Sequence, residues 1–327
     1  MESNEHKPLK EKVFAAFDQH ITAPNCTIVV AVSGGADSLA LTLLANEYAK
    51  SKGHAIEAVT VDHGLRSESS AEAATVFSIL SAQNISHHTL VWQHEENVNR
   101  KHERARTARY QLLIDFCKKY KNPVLMTAHH AQDQAETILM RFLKGSGPAG
   151  FQAVQAVRYE NDIPIIRPLL GIAPSDLREY LAQKDVTWIE DPSNTDTHYE
   201  RTRVRQLVQH IKDLGWDENG IITSAAKIYS LHQSLENLTS GYAEDFVINN
   251  SPLTVDQPIF FACPLQIQQE WLRSAIWSIG EASYPKPYST IDAVLEIIKQ
   301  PKVAGYKIAG CLIHVSKKQF SIVKKKE

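Results

Sequence analysis

Continuous apolar, β-branched runs alternate with amphipathic stretches along the first two thirds of the chain. TIVVAV (27–32), IEAVTV (56–61), HHTLVW (87–92) and PVLMTA (123–128) predict strands, and IPIIRPLL (163–170) predicts a fifth. Between them, SLALTLLANEYAK (38–50) and the stretches 68–82, 101–120 and 131–143 have helical spacing. In the longest of these the apolar positions are Ala105, Ala108, Leu112, Leu113 and Phe116. Wholly apolar strands separated by helices predict a doubly wound parallel α/β sheet, because such strands are covered on both faces. The texture changes after residue 215. GWDENG (215–220) is rich in turn formers, 221–247, 265–279 and 288–299 predict helices, and YKIAGCLIHV with KKQFSIVKKK predicts a terminal hairpin. The expected organisation is an N-terminal extension (1–22), an α/β domain (23–215) and a smaller α+β module (216–327).

Charge narrows the partners. Lysine and arginine number 35 against 37 aspartates and glutamates, a net charge of −2, which argues against a wholesale polyanion binder. Residues 251–327 nevertheless hold ten basic and six acidic residues, so a local phosphate-backbone contact is compatible with that module. A solvated lysine-rich edge strand reads equally well there. Cys26, Cys117, Cys263 and Cys311 form no CxxC, which excludes a zinc ribbon and a disulfide scaffold. The charged start MESNEHKPLKEK has no signal-peptide core and no apolar run reaches 18 residues, so a cytoplasmic protein without membrane contact is expected.

The chemistry concentrates in Ser33-Gly34-Gly35-Ala36-Asp37-Ser38, between the first strand and the first predicted α/β helix. Paired glycines let backbone N–H groups converge on an anion, and the helix N-terminus adds partial positive charge. Ser33 and Ser38 add hydroxyl donors. The segment is no Walker A loop. The literal G-x-G-x-x-G at Gly145–Gly150 follows a helix, which is the wrong context for a dinucleotide site. A carboxylate beside phosphates repels them unless a cation intervenes, so Asp37 predicts Mg²⁺. An ordinary βα turn with a glycine-serine bias is the plainer reading.

Ser33–Ser38 resembles the SGGxDS pyrophosphate loop of the N-type ATP pyrophosphatases. Four further segments resemble the tRNA(Ile)-lysidine synthetase family: Val61-Asp62-His63-Gly64-Leu65-Arg66; Ala105-Arg106-Thr107-Ala108-Arg109-Tyr110; Thr127 to Thr137, ending in Gly145-Ser146-Gly147; and Glu190 to Asn194, continuing through Tyr199-Glu200-Arg201-Thr202-Arg203-Val204-Arg205. Together they span residues 27–205. The family often has two acids where Gln132-Asp133 stands, and usually asparagine at Thr202.

The resemblance implies an adenine-nucleotide hydrolase-like fold and a ligase that uses ATP and Mg²⁺. It would adenylate the wobble cytidine of CAU-anticodon isoleucine tRNA and then attach free lysine. ATP would contact Ser33, Gly34, Gly35, Ala36, Asp37, Ser38, Asp62 and His63, with Asp37 as metal ligand. Asp37, Arg109, His129, Asp133 and Glu136 would carry catalysis, and Arg201 and Arg205 would contact tRNA. Oligomeric state stays open, a homodimer included.

Elementary chemistry supports part of this. Segments after strand ends line one crevice in open α/β sheets. Asp133 and Glu136 lie i, i+3, so one helix face carries both, suited to an ammonium or Mg²⁺, or simply to the helix dipole. Arg106 and Arg109 share that spacing and also suit a solvated face, whereas Arg201, Arg203 and Arg205 should fan out around a helix. His63 and His129-His130 have no cysteine or further histidine at zinc-ligand spacing, so hydrogen bonds to ATP phosphates or the capping of strand ends are expected of them. A tRNA thiolase would want cysteine pairs, and an amidotransferase-type synthetase a glutaminase domain. A non-catalytic ATP-binding regulator would have no use for Asp37 and the paired acids.

Overall fold

The computed structural model describes residues 8–62, 69–93, 101–190, 198, 200–281 and 285–325. The chain divides into two compact units, residues 1–140 with 153–222, and residues 141–152 with 223–327.

The first unit is built on a six-stranded sheet of order β3-β2-β1-β4-β6-β5. Its strands are β1 (Thr27–Ala31), β2 (Ala55–Asp62), β3 (His87–Val91), β4 (Pro123–Met126), β5 (Val157–Glu160) and β6 (Ile163–Ile166). All neighbours are parallel except the edge hairpin β5–β6. The helices are α1 (Leu9–His20), α2 (Ala36–Lys52), α3 (Ser69–Ala82), α4 (Lys101–Cys117), α5 (Ala131–Leu143), α6 (Pro174–Gln183) and α7 (Glu200–Asp213).

Strand alternation explains the double winding. Ile28, Val30, Ala58, Val124 and Met126 point into a core shared with α1, α2, α3 and α6. Their neighbours Val29, Val59 and Leu125 point to the opposite face, onto Tyr110, Leu113, Ile114 and Cys117 of α4. Successive strand side chains face opposite ways, so two covered faces demand an unbroken apolar run. α2 is buried almost all round, hence its near-continuous apolar sequence. Residues 9–20 are helical, and Phe17 stacks edge-on against Tyr48 of α2 with centroids 4.9 Å apart. The fifth predicted strand stops at Ile166. Arg167 bonds Ala156 O, and Pro168 follows with no N–H to donate.

The second unit holds a five-stranded antiparallel sheet of order β7-β8-β11-β10-β9. These strands are β7 (Val247–Asn250), β8 (Leu253–Asp256), β9 (Val303–Ile308), β10 (Cys311–Val315) and β11 (Gln319–Lys324). The predicted hairpin is therefore part of a larger sheet. The helix expected over 221–247 is α8 (Glu218–Phe246), which runs directly into β7. With α9 (Gln257–Ala262), α10 (Leu265–Gly280) and α11 (Tyr288–Ile298), the sheet encloses a core in which Phe246, Phe260, Trp271 and Phe320 meet edge to face. Gly147, at φ +69°, lies under Tyr288; a Cβ there would come within 2.7 Å of that ring. This stretch of the Gly145–Gly150 sequence thus receives an aromatic side chain.

Candidate active site

β1 ends at Ala31, and Val32 N–H bonds Val59 O, so the chain leaves the sheet between β1 and β2. Gly34 adopts φ +87°, and a Cβ there would sit 2.8 Å from Ile189 Cδ1 and 3.0 Å from Val76 Cγ2, which excludes a larger residue. Ile189 N–H donates to Gly34 O and latches residues 186–190 onto the loop. Ser33 N–H donates to Ser38 Oγ, the two hydroxyls lie 3.2 Å apart, and Ser38 Oγ–H donates to Gly35 O. The serines thus brace the loop from inside. No side chain caps α2 at Gly35, so its first amides are left for an anion.

Asp37 stands in that first turn. Its Oδ1 is buried and has no hydrogen-bond partner among the described residues, and its Oδ2 lies 3.4 Å from His130 Nε2. A buried carboxylate oxygen with no donor calls for a cation. His130 also approaches Asp133 Oδ2 at 3.6 Å, and its backbone N–H donates to that oxygen at 2.8 Å. Burial alone would lower the His130 pKa; its hydrogen bond to Asp37 and the charges of Asp133, Asp37 and Glu136 outweigh this and raise it. His130 therefore lies between two carboxylates, and both favour its protonated form. The resemblance implies catalysis for His129 alone and gives His130 no part in an acid network. The available signal was the spacing of His130 and Asp133, in which a side chain at the third helical position caps the backbone at the helix start.

His129 faces a different environment. Its Nδ1 is 3.0 Å from Thr127 Oγ1, and burial, with Arg167, Arg201 and Arg106 nearby, lowers its pKa to about 4 against the opposing pull of Asp133. It is neutral at pH 7.

The acids and the alternating arginines meet. Glu136, fully buried, accepts from Arg201 Nε at 2.7 Å and from Arg205 Nε at 2.9 Å. Arg201 also bonds Asp133 through Nη2. Arg203 points the other way and donates to His198 O. Arg201 and Arg205 are i, i+4 on α7 and share a face, so of the three arginines only Arg203 turns away from the acids. Burial would raise the Asp133 pKa, but His130 and Arg201 outweigh it and hold the carboxyl below its usual range.

These groups open onto a cavity of about 400 Å³ walled by Ser33, Gly35, Asp37, Ser38, Arg109, His129, His130, Asp133, Arg201 and Arg205, with Val59 and Val61 from β2. A second cavity of about 340 Å³ shares Gly35, Asp37, His130 and Arg205 and adds Ala36, Gln132, Arg178, Trp188 and Glu190. Gly34 and Glu136 stand behind the walls of the first. Asp62 is buried at the end of β2, one residue beyond the β2 part of that wall. His63, Gly64–Arg66 and Asp191–Asn194 lie outside the described residues.

A glycine-rich loop after β1 and an uncapped helix start have the form of a PP-loop, and a PP-loop domain profile matches residues 6–211. The chain is 41% identical over 313 residues to the tRNA(Ile)-lysidine synthase of Orientia tsutsugamushi, covering 93% of this chain and 69% of that protein. It is 34% identical over 312 residues to that of Rhodopseudomonas palustris, covering 90% of each. To that of Ruegeria pomeroyi it is 33% identical over 297 residues, covering 90% of this chain and 70% of that protein. Among solved structures, the U34-tRNA thiolase of Methanococcus maripaludis shares the fold, with a TM-score of 0.57 at 18% identity over 68% of this chain and 78% of that one. The chain belongs to the tRNA(Ile)-lysidine synthase family, and is a ligase that forms the C–N bond of lysidine in isoleucine tRNA. All four of its cysteines are free and buried.

Proposed function

We propose that the larger cavity carries both halves of lysidine formation on the CAU-anticodon isoleucine tRNA, with free lysine as the second substrate. The observation that carries this is the buried, unpartnered Asp37 Oδ1 at the uncapped start of α2. The amides of Gly34, Gly35 and Ala36 hold the ATP phosphates, and Asp37 holds Mg²⁺. When bound, that ion neutralises charge developing on the pyrophosphate. The C2 oxygen of the wobble cytidine attacks the α-phosphorus and pyrophosphate leaves. The lysine ε-amine then attacks C2, the C2–O bond breaks, AMP departs with the oxygen, and the amine loses a proton.

Asp133 lines the cavity and is held ionised, so it pairs with a lysine ammonium better than it accepts a proton. Glu136 has no exposure and acts through Arg201 and Arg205, whose half-exposed guanidiniums face the cavity and offer donors to phosphate. Asp62 and His63 are assigned to ATP binding as well. Residues 23–215 supply the catalysis and 216–327 a tRNA-contacting module, with 1–22 as the extension before them.

No helix among the described residues is long and apolar enough to cross a membrane. A cytoplasmic location is a separate part of the proposal. A homodimer is part of the proposal. Ile228, Leu231, Leu238 and Tyr242 recur at heptad spacing on α8 and are exposed. A Leu231→Glu, Leu238→Glu variant that sediments like the parent protein would remove that part. For the catalytic core, pyrophosphate release is measured with ATP, tRNA and lysine. Asp37→Asn should abolish release with the fold intact, and near-parental release would end the metal role.

A further inference from the structure

Tyr110 of α4 sits among four arginines. The guanidinium of Arg158 lies 4.5 Å from its ring centroid, that of Arg106 5.5 Å and that of Arg109 5.6 Å. Arg167, buried at the end of β6, bears on the same phenol. Burial alone would push the Tyr110 phenol up. The summed field of Arg106, Arg109, Arg167 and Arg158 outweighs that and pulls it down. Arg158 Nε and Arg167 Nε are buried and complete no hydrogen bond among the described residues, while Arg167 Nη1 donates to Gln155 O at 2.7 Å.

Counter-charge is scarce. Glu160 pairs with Arg158 at 2.8 Å, and no carboxylate reaches Arg106, Arg109 or Arg167 among the described residues. Four cations gathered round one ring against a single acid exceed what cation–π packing of a tyrosine needs. Two buried guanidinium nitrogens without an acceptor, in a cluster of four cations against one acid, suit an anion that comes from outside the chain.

Position identifies the anion. Arg109 lines the active cavity, and the fields of Arg167 and Arg106 reach His129 on the same wall. From there the cluster extends to Arg158 on the edge strand β5 and to exposed Arg106 on α4. The phosphates of ATP already have the loop 33–38. The remaining anion enters from outside with the base to be modified. We propose that Arg106, Arg109, Arg158 and Arg167 form a phosphate cage that grips the RNA backbone beside the target cytidine, holding the strand while the base is turned into the cavity. This rests on the tRNA reading of the same site.

The test uses the full-length protein and unmodified CAU-anticodon tRNA, with tRNA and ATP binding measured separately across a potassium chloride series. Arg158→Gln and Arg167→Gln should each weaken tRNA binding about tenfold and flatten the log–log salt slope by about 0.7 to 0.9 per lost phosphate contact, with ATP affinity unchanged. Arg158→Lys, which keeps the charge, should recover the slope in part. Unchanged tRNA affinity and slope would overturn the cage, as would a loss confined to ATP. A parental protein that binds ATP but no tRNA would instead overturn the reading on which the cage rests. Substrate chemistry gives a readout independent of folding. An anticodon stem-loop with one uncharged methylphosphonate beside the target cytidine should bind the unaltered protein about tenfold more weakly. Equal binding at both flanking linkages would also overturn the cage.

Discussion

Glu136→Gln tests the pairing of the acids with α7 in the most quantitative way. The carboxylate is fully buried and accepts from Arg201 Nε at 2.7 Å, Arg205 Nε at 2.9 Å and Gln132 Nε2 at 3.4 Å. The amide keeps the volume and one acceptor oxygen, but turns an NH₂ toward a guanidinium. One charge-assisted bond is lost and another becomes neutral, at about 1.5–3 kcal/mol for each charged bond. Breaking a fully buried ion pair costs about 3–5 kcal/mol. The arginine side chains are 41% and 34% exposed, so water screens part of the imbalance. The expected loss is about 2–3 kcal/mol, or a drop in melting temperature of about 4–12 °C for a unit of this size. Adding Arg205→Gln should restore at least about 1 kcal/mol, because an amide pair replaces an unbalanced cation. Urea and thermal unfolding of the two single variants and the double variant measure this. A loss below about 0.5 kcal/mol, or strict additivity, would refute the network.

Three further outcomes are expected. Gly34→Ala forces a side chain into φ +87° and against Ile189 and Val76, so ATP affinity should fall at least about tenfold with the circular dichroism unchanged; ATP titration measures it. His129, with a folded pKa near 4 against about 6.5 unfolded, favours the folded state fully above pH 6.5, and that contribution is lost as pH falls toward 4. His129→Gln should therefore flatten the acid side of the stability profile, and an unchanged slope between pH 6.5 and 4 would contradict the buried neutral imidazole. Lys317→Glu with Lys318→Glu, on the exposed turn between β10 and β11, should weaken tRNA binding and reduce its salt dependence while ATP binding holds; equal tRNA affinity would make the module structural only.

The doubly wound sheet was legible because burial on both faces writes itself into sequence as unbroken apolar strands, as in TIVVAV. The loop at Ser33–Ser38 was legible because paired glycines have few other uses there. What escaped was short or long-range. β5 and β7 are four residues each, and β7 reads VINN, too polar to separate from the end of α8 by pattern. The Ile189–Gly34 bond joins positions 155 apart. Arg201 and Arg205 reach acids 65 to 69 residues earlier, so their spacing alone could not show that they bind carboxylates before any RNA. Arg158 and Arg167 carry no local signal, since only the β5–β6 hairpin brings them to Tyr110.

We propose that one cavity, organised by Asp37, joins lysine to isoleucine tRNA at the expense of ATP. Transfer of labelled lysine to unmodified CAU-anticodon isoleucine tRNA tests it most directly, with AMP counted in the same tube. One AMP per lysine incorporated, dependence on both ATP and tRNA, and no incorporation by Asp37→Asn are expected. AMP formation without bound lysine, or incorporation that survives Asp37→Asn, would contradict it.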